Sequence, residues 1–410
     1  MTGLLLANLV SDIGNAITLL AIPWFVLVTT GSASRAGIAV AAGALPIVIA
    51  GLFGGAIIDR MGYKRASIVA DLASGITVML IPLLHETVGL AFWQLLVLVF
   101  LGALLDIPGA TARESLFPDL VESAGLQLER ANAFYSVTYR ISGLLGPPLA
   151  GILIAIVGAS NVLWIDAATF AVSALIVVAL VPSIPVQRAS VAAHGLARYF
   201  GEIQEGFRFL RQDGVLLWLT VTLSIGGLLA EPLYGVILPV YARDVFGSAV
   251  DLGLVFAALA AGSIAGNLLY ILLASRVPRR LILIVGFGIR ALSFWVLVTL
   301  PSFWIVAGAV FINALFLEPA NPLVRSIFQE RVPAGMRGRV FGARQALGGG
   351  SRPLGLLLYG FLLDGLGLQS TLLLLAAVNG ILPLTIMLAP ALRDIQRPQP
   401  ALTPAAIVDQ

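Results

Sequence analysis

Four carboxylates stand inside otherwise apolar stretches: Asp12 in GLLLANLVSDIGNAITLL, Asp106 in LGALLDIPGA, Glu231 in GGLLAEPLYG and Glu318 in NALFLEPANP. A charged acid in mid-membrane costs about 2.5–3.5 kcal/mol on insertion scales, so each needs a partner, a watery cavity or a proton. Burial favours the neutral acid and a neighbouring arginine favours the carboxylate, so such a group exchanges protons as its surroundings change. Glu231 and Glu318 each precede a proline, which removes a backbone hydrogen bond and gives the helix a flexible point. Arg140 and Arg352 also lie in apolar stretches, as counter-ions for these acids or as binders of an anionic substrate, and Arg290 reads as a structural pairing residue.

The elements that carry them follow from composition. Of 410 residues, 59% are hydrophobic and only 11% charged, whereas ordinary globular domains are about 25% charged. A polytopic membrane protein is the class that fits. The 43 glycines and 22 prolines then read as close packing and kinks, which membrane helices tolerate. With no cysteine and only two histidines, His85 and His194, both expected in loops, disulfides, thiolate catalysis, zinc sites and a serine triad are improbable. No enzyme activity, cofactor or metal is expected. Gly348-Gly349-Gly350 lacks the strand and the lysine of a phosphate loop, so ATP hydrolysis is not expected either.

Stretches of about 20 apolar residues occur twelve times, near 3–29, 36–58, 66–84, 91–112, 131–157, 161–182, 214–242, 251–274, 280–300, 302–324, 338–363 and 369–392. Threading the chain through them puts nineteen of its 24 bases, Arg113 and Arg331 among them, on one side, and only Arg35 and Arg243 on the other. By the positive-inside rule the first side is cytoplasmic, with both termini there. The expected domains are a six-helix bundle at 1–182, a linker at 183–213, a second six-helix bundle at 214–392 and a tail at 393–410. In the linker, Leu196, Tyr199, Phe200, Ile203, Phe207 and Leu210 recur at helical spacing, which predicts an amphipathic helix on the inner membrane surface.

The halves repeat. A shift of 216 superposes Pro23 on Pro239, Gly31-Ser32-Ala33 on Gly247-Ser248-Ala249, Gly37 on Gly253 and Lys64 on Arg280. A shift of 212 pairs Asp106 with Glu318 and Arg113 with Arg325, and a shift of 209 pairs Ser142, Gly146 and Gly151 with Ser351, Gly355 and Gly360. Six helices per copy give both copies one orientation, a parallel repeat. Where the second span ends, in GGAIIDRMGYKR, Gly55 suits close helix approach, Gly62 a tight turn, and Arg60, Lys64 and Arg65 face anionic headgroups.

Six plus six helices with the loop Gly55-x-x-x-Asp59-Arg60-x-Gly62-x-Lys64-Arg65 resemble the major facilitator superfamily over essentially the whole chain. Asp166-Ala-Ala-Thr-Phe170 and Arg130-Ala-Asn-Ala resemble the branch of macrolide-efflux proteins and the enterobactin exporter. The resemblance implies an all-α integral membrane fold of twelve transmembrane helices in two six-helix halves. It implies that Asp12, Asp106, Glu231 and Glu318, on spans 1, 4, 7 and 10, line a central cavity. It also implies that Asp59 latches the halves by meeting the start of span 11; the matching position of the second copy is Ser275. Gly146-Pro147-Pro148-Leu149-Ala150-Gly151 resembles the span 5 signature of antiporters, with Ala150 in place of a glycine and an added proline. The first span begins almost at Met1, without the lead usual in the family, so an upstream start is expected. The function implied is proton-coupled export of an amphipathic or cationic small molecule from the inner membrane by a monomer, with no nucleic-acid partner. A siderophore exporter and a nutrient importer are the alternatives.

Overall fold

The computed structural model describes residues 1–46, 61–182, 196–273 and 276–396. Among these residues every regular element is a helix. In chain order they are α1 (Thr2–Thr30), α2 (Ala33–Ala44), α3 (Tyr63–Thr87), α4 (Phe92–Ser123), α5 (Leu128–Val157), α6 (Ala159–Leu180), α7 (Leu196–Gln212), α8 (Gly214–Pro232), α9 (Ala249–Leu273), α10 (Arg279–Val298), α11 (Phe303–Leu317), α12 (Ala320–Arg331), α13 (Arg337–Leu366) and α14 (Leu368–Leu388). Ten helical stretches among the described residues are long and apolar enough to cross a membrane, counting α8 with its continuation to Phe246 and α11 with α12 as one each. The protein is a multi-pass membrane protein. Of the other two expected spans, the second falls partly outside the described residues, after Pro46, and the eleventh, near 338–363, falls within the 30-residue α13, which is not among the ten.

The prolines that follow the two glutamates mark the least regular points. After Glu231-Pro232, α8 continues through a π turn at Leu233–Ile237, one α turn at Leu238–Tyr241 and a second π turn at Ala242–Phe246. A π turn shifts the hydrogen-bond register by one residue, a distortion common near functional sites. At Glu318-Pro319 the regular helix stops and restarts as α12. In both places the proline nitrogen has no hydrogen to donate to the preceding turn.

The chain forms two compact units: Met1–Val191 with Glu231–Ala257 and Pro353–Gly365, and the remainder. In the first unit α1 packs on α5 and α6, and α3 packs on α4 and α6. One end of its core joins Leu4 and Ala7 of α1 to Leu116, Phe117 and Leu120 of α4 and Val177 of α6. Two further crossings within this unit join helices from opposite halves of the sequence. A Cβ on Gly37 of α2 would lie 2.6 Å from the Leu356 carbonyl oxygen of α13, and one on Gly360 would lie 3.0 Å from that of Ala33. At the other crossing, a Cβ on Gly253 of α9 would lie 2.4 Å from the Pro147 carbonyl oxygen of α5, and one on Gly151 would lie 2.5 Å from that of Ala249. Only glycine admits backbone this close.

In the second unit α10 packs on α14 and α11. The linker helix α7 packs on protein: Phe209 and Leu210 are buried, Gly206 abuts the Arg339 backbone, and Glu205 pairs with Arg339 at 2.6 Å.

Candidate functional site

The first unit holds a polar core built from helical stripes. Ser11, Asn15 and Thr18 repeat every three to four residues along α1, as do Ser67, Asp71 and Ser74 on α3 and Asp166, Thr169 and Ser173 on α6. Asp106 and Arg113 lie seven residues apart on α4. Such spacings return each set to one helix face.

Arg113 is the hub. Its Nη1 donates to Asp71 Oδ1 at 2.6 Å and to Ser67 Oγ at 3.3 Å, and its Nη2 to Ser11 Oγ at 3.5 Å. Ser173 Oγ donates to the other Asp71 oxygen at 2.8 Å. Both side chains of the Asp71–Arg113 pair are almost fully buried. Asp12 and Asp106 lie in the field of the same guanidinium. Asp106 is held less completely than Asp71: Asn15 Nδ2 donates to its Oδ2 at 3.1 Å, while its buried Oδ1 has no hydrogen-bond partner among the described residues. Asp166, wholly buried, accepts from the hydroxyls of Thr18 and Thr169. Gly14 makes room for it, since a Cβ there would collide with Asp166 Oδ1 and Thr169 Oγ1.

The second unit has a buried pair of its own. Asp213 Oδ2 accepts from Arg331 at 2.9 Å, while its Oδ1 accepts from the amides of Val215 and Leu216 and caps α8. Arg290, also buried, donates to the Gly226 carbonyl at 2.9 Å, and Arg352 lies beside Gly227. Both guanidinium-bearing chains therefore flank α8 about one turn before Glu231 along that helix. Glu318 accepts from Asn321 Nδ2 at 3.0 Å.

Set against the sequence reading, Asp12 and Asp106 join one core, and Glu231 and Glu318 sit half-buried at helix irregularities. Arg140 and Arg352 are exposed. Gly146 packs on Ala16 of α1, and Pro147 and Gly151 form the α5–α9 crossing. Arg113 and Arg331, counted from the sequence among the bases of the cytoplasmic side, are each paired with a buried carboxylate. Lys64 is partly exposed and also bonded within the protein. Its ammonium caps α6, donating to the carbonyls of Val178 at 3.1 Å and Val181 at 2.5 Å. Its repeat counterpart Arg280 caps α14 in the same way, through Ile386 and Met387. Gly62 has φ +80°, the tight turn expected of it, and Arg65 is exposed. Gly55, Asp59 and Arg60 lie outside the described residues. His85 belongs to the last turn of α3, edge-on to Phe25, not to a loop.

Asp71 was missed as a site residue, and Asp166 had been noted only for its resemblance. The available signal was the same as for Asp106: a lone acid in an apolar run, with serines or threonines one turn away on the same face.

The family model described as "Major Facilitator Superfamily" matches residues 4–249 and 228–407. The chain belongs to the major facilitator superfamily. This transporter family accounts for the helical membrane fold and makes the chain a transporter, not an enzyme. The chain is 32% identical over 96% of its length, and 96% of the relative's, to the multidrug efflux pump Tap of Mycolicibacterium fortuitum. It is 25% identical over 95% of its length to macrolide efflux protein A of Streptococcus pyogenes, covering 94% of that protein. Among solved structures, the nucleoside transporter NupG superposes with a TM-score of 0.76 at 14% identity, over 94% of this chain and 98% of NupG. That likeness concerns the fold.

Proposed function

We propose that this member of the superfamily is a proton-coupled exporter of amphipathic or cationic small molecules, drugs included, working by alternating access. The full-length similarity to a multidrug pump and a macrolide-efflux protein supports export of drugs. The observation that carries the coupling is Asp106. A buried carboxylate oxygen without a donor is expensive to leave ionised, so Asp106 binds a proton when it is shut away from water and releases it when the cavity wets or Arg113 turns to it. Asp71 has its charge already satisfied and serves as the fixed anchor of Arg113. Asp12, Glu231 and Glu318 complete the proton and substrate path, with Arg140 and Arg352 as its cations.

The proposed topology is twelve spans in two six-helix halves, at 1–182 and 214–392, joined by the linker at 183–213 and followed by the tail at 393–410. Both termini are cytoplasmic, and the cytoplasmic latch comprises Gly55, Asp59, Arg60, Gly62, Lys64 and Arg65, within which Lys64 secures α6. The span 5 motif Gly146, Pro147 and Gly151 supports the antiport reading through its resemblance to the antiporter signature.

The test is drug uptake into inside-out vesicles with the pH gradient imposed or collapsed. Wild-type protein should lose most uptake on collapse. Asp106→Asn, which mimics the protonated acid, should lower gradient-driven uptake at least tenfold while substrate still binds. Uptake indifferent to the gradient in both proteins would leave facilitated diffusion as the better reading.

A further inference from the structure

The short turn between α1 and α2 is gripped by opposite charges from two distant helices, all within the first compact unit. Asp364, near the end of α13, sits on the N-terminus of α2. Its Oδ2 accepts from Ser32 Oγ at 2.7 Å and from the Ser34 amide at 3.0 Å, and its Oδ1 accepts from the Ala33 amide at 2.7 Å. Arg243, in the last turn of the helix that continues α8, donates to the carbonyls of Leu27 and Gly31 at 3.3 and 3.4 Å, where α1 ends. Its guanidinium is oriented by a fork to Asp244 at 2.6 and 3.2 Å. The carboxylate thus meets the positive end of one helix dipole and the guanidinium the negative end of the other. Gly31, with φ +70°, supplies the turn that brings both helix ends to the same place.

We infer that Asp364 and Arg243 form a two-point clamp that holds this end of the transporter closed and must release for it to open. Four properties point to a clamp and not to permanent cement. Both charges come from the second half of the chain and act on the first. Both act on helix ends, where the bonds satisfy backbone groups that water satisfies equally well once the ends part. Asp364 and Arg243 are partly open to solvent, so neither is stranded on release. At the α2–α13 contact beneath Asp364 the atoms nearest to Gly37 and Gly360 are backbone atoms, a steric fit without charge, and the clamp adds the charged hold.

The inference rests on the alternating-access part of the proposed function but not on the identity of the substrate or on proton coupling. It is tested without either. In a chain with no native cysteine, nitroxide labels are attached to cysteines introduced at the exposed positions Arg35 and Gly365, and their separation is measured by pulsed electron resonance in detergent or nanodiscs. Wild-type protein should show a dominant short distance. Asp364→Ala should raise the ratio of long to short populations about tenfold and Arg243→Gln about threefold. Ser32→Ala, which removes the hydroxyl bond to the carboxylate together with the cap that hydroxyl gives the Arg35 amide, should give a smaller rise, with thermal stability measured alongside to separate the two losses. An unchanged distribution in Asp364→Ala, Arg243→Gln and their combination overturns the clamp. A shifted distribution in a protein that moves no drug would keep the clamp and remove the efflux reading instead.

Discussion

The α2–α13 and α5–α9 crossings are built from the same parts. Gly37 meets the carbonyl of Leu356 as Gly253 meets that of Pro147, and Gly360 meets Ala33 and Ser34 as Gly151 meets Ala249 and Val250. Each residue of one list is the repeat partner of a residue in the other, at shifts of 216 or 209. The charges break the symmetry. Four residues beyond Gly360 stands Asp364, and four beyond Gly151 stands Ala155; the repeat position of Arg243 is Leu27. Duplication therefore preserved the steric contact in both copies, whereas the polar hold exists in one. Steric fit between glycine faces sets how close two helices come, while a charge on a helix end sets how firmly they stay.

The largest effect should come from destroying the shared part. Gly253→Leu or Gly37→Leu drives a side chain into a backbone carbonyl that has no rotamer to yield, an overpacking cost of about 1–3 kcal/mol or more. Both variants should lose transport at least tenfold, to similar degrees, while still inserting in the membrane. Efflux measured with matched expression checks this, and strong loss at one crossing alone would show that the two are not equivalent.

A smaller effect is expected from copying the charge across. Ala155→Asp places a carboxylate over the Ser248-Ala249-Val250 start of α9, so the second crossing should hold as the first does. Turnover should then fall a few-fold, with the closed population enriched in spin-label distances across α5 and α9. Faster turnover or a depleted closed population would contradict the equivalence.

The smallest expected effect is that of pH on the clamp. Burial tends to raise the Asp364 carboxyl, but the hydroxyls of Ser34 and Ser32 and the amides of Ser34 and Ala33 outweigh it and hold the group below its ordinary value. The sign follows from linkage: a depressed acid contributes fully above its unfolded value and loses that contribution as pH falls through the folded one. The Arg35–Gly365 distance should thus be indifferent between pH 8 and pH 5 and lengthen only in acid below the ordinary aspartate range. The α5–α9 crossing should not respond there. Lengthening near neutrality would indicate a different titrating group.

Much of the fold was legible in the residue order. Hydrophobic runs set the spans because an apolar stretch of given length has one low-energy place in a bilayer. The repeat was legible because the two copies have kept glycines and charges in register, as Gly37 with Gly253 and Lys64 with Arg280. The candidate site was legible in part. Asp106 announces itself as an acid in an apolar run, but its near neighbour Arg113 counts from sequence among the cytoplasmic-side bases, since nothing in LGALLDIPGATARESLF says where the helix leaves the membrane. In the structure α4 runs on to Ser123, and Arg113 is 2% exposed.

The sequence by itself determined which segments are helices in a membrane, where glycine and proline interrupt them, that the chain is a duplicated transporter, and which side chains are too costly to bury without a reason. Those are properties of local hydrophobicity, backbone freedom and self-similarity, each readable within one segment or between two copies. The tertiary structure decided the partners: Asp71 and not Asp106 for Arg113, the α6 carbonyls for Lys64, the α2 amides for Asp364. A partner is chosen by which helix faces meet and at what height. That depends on the packing of several helices at once, and a repeat in sequence states only that two positions are equivalent, never that they touch.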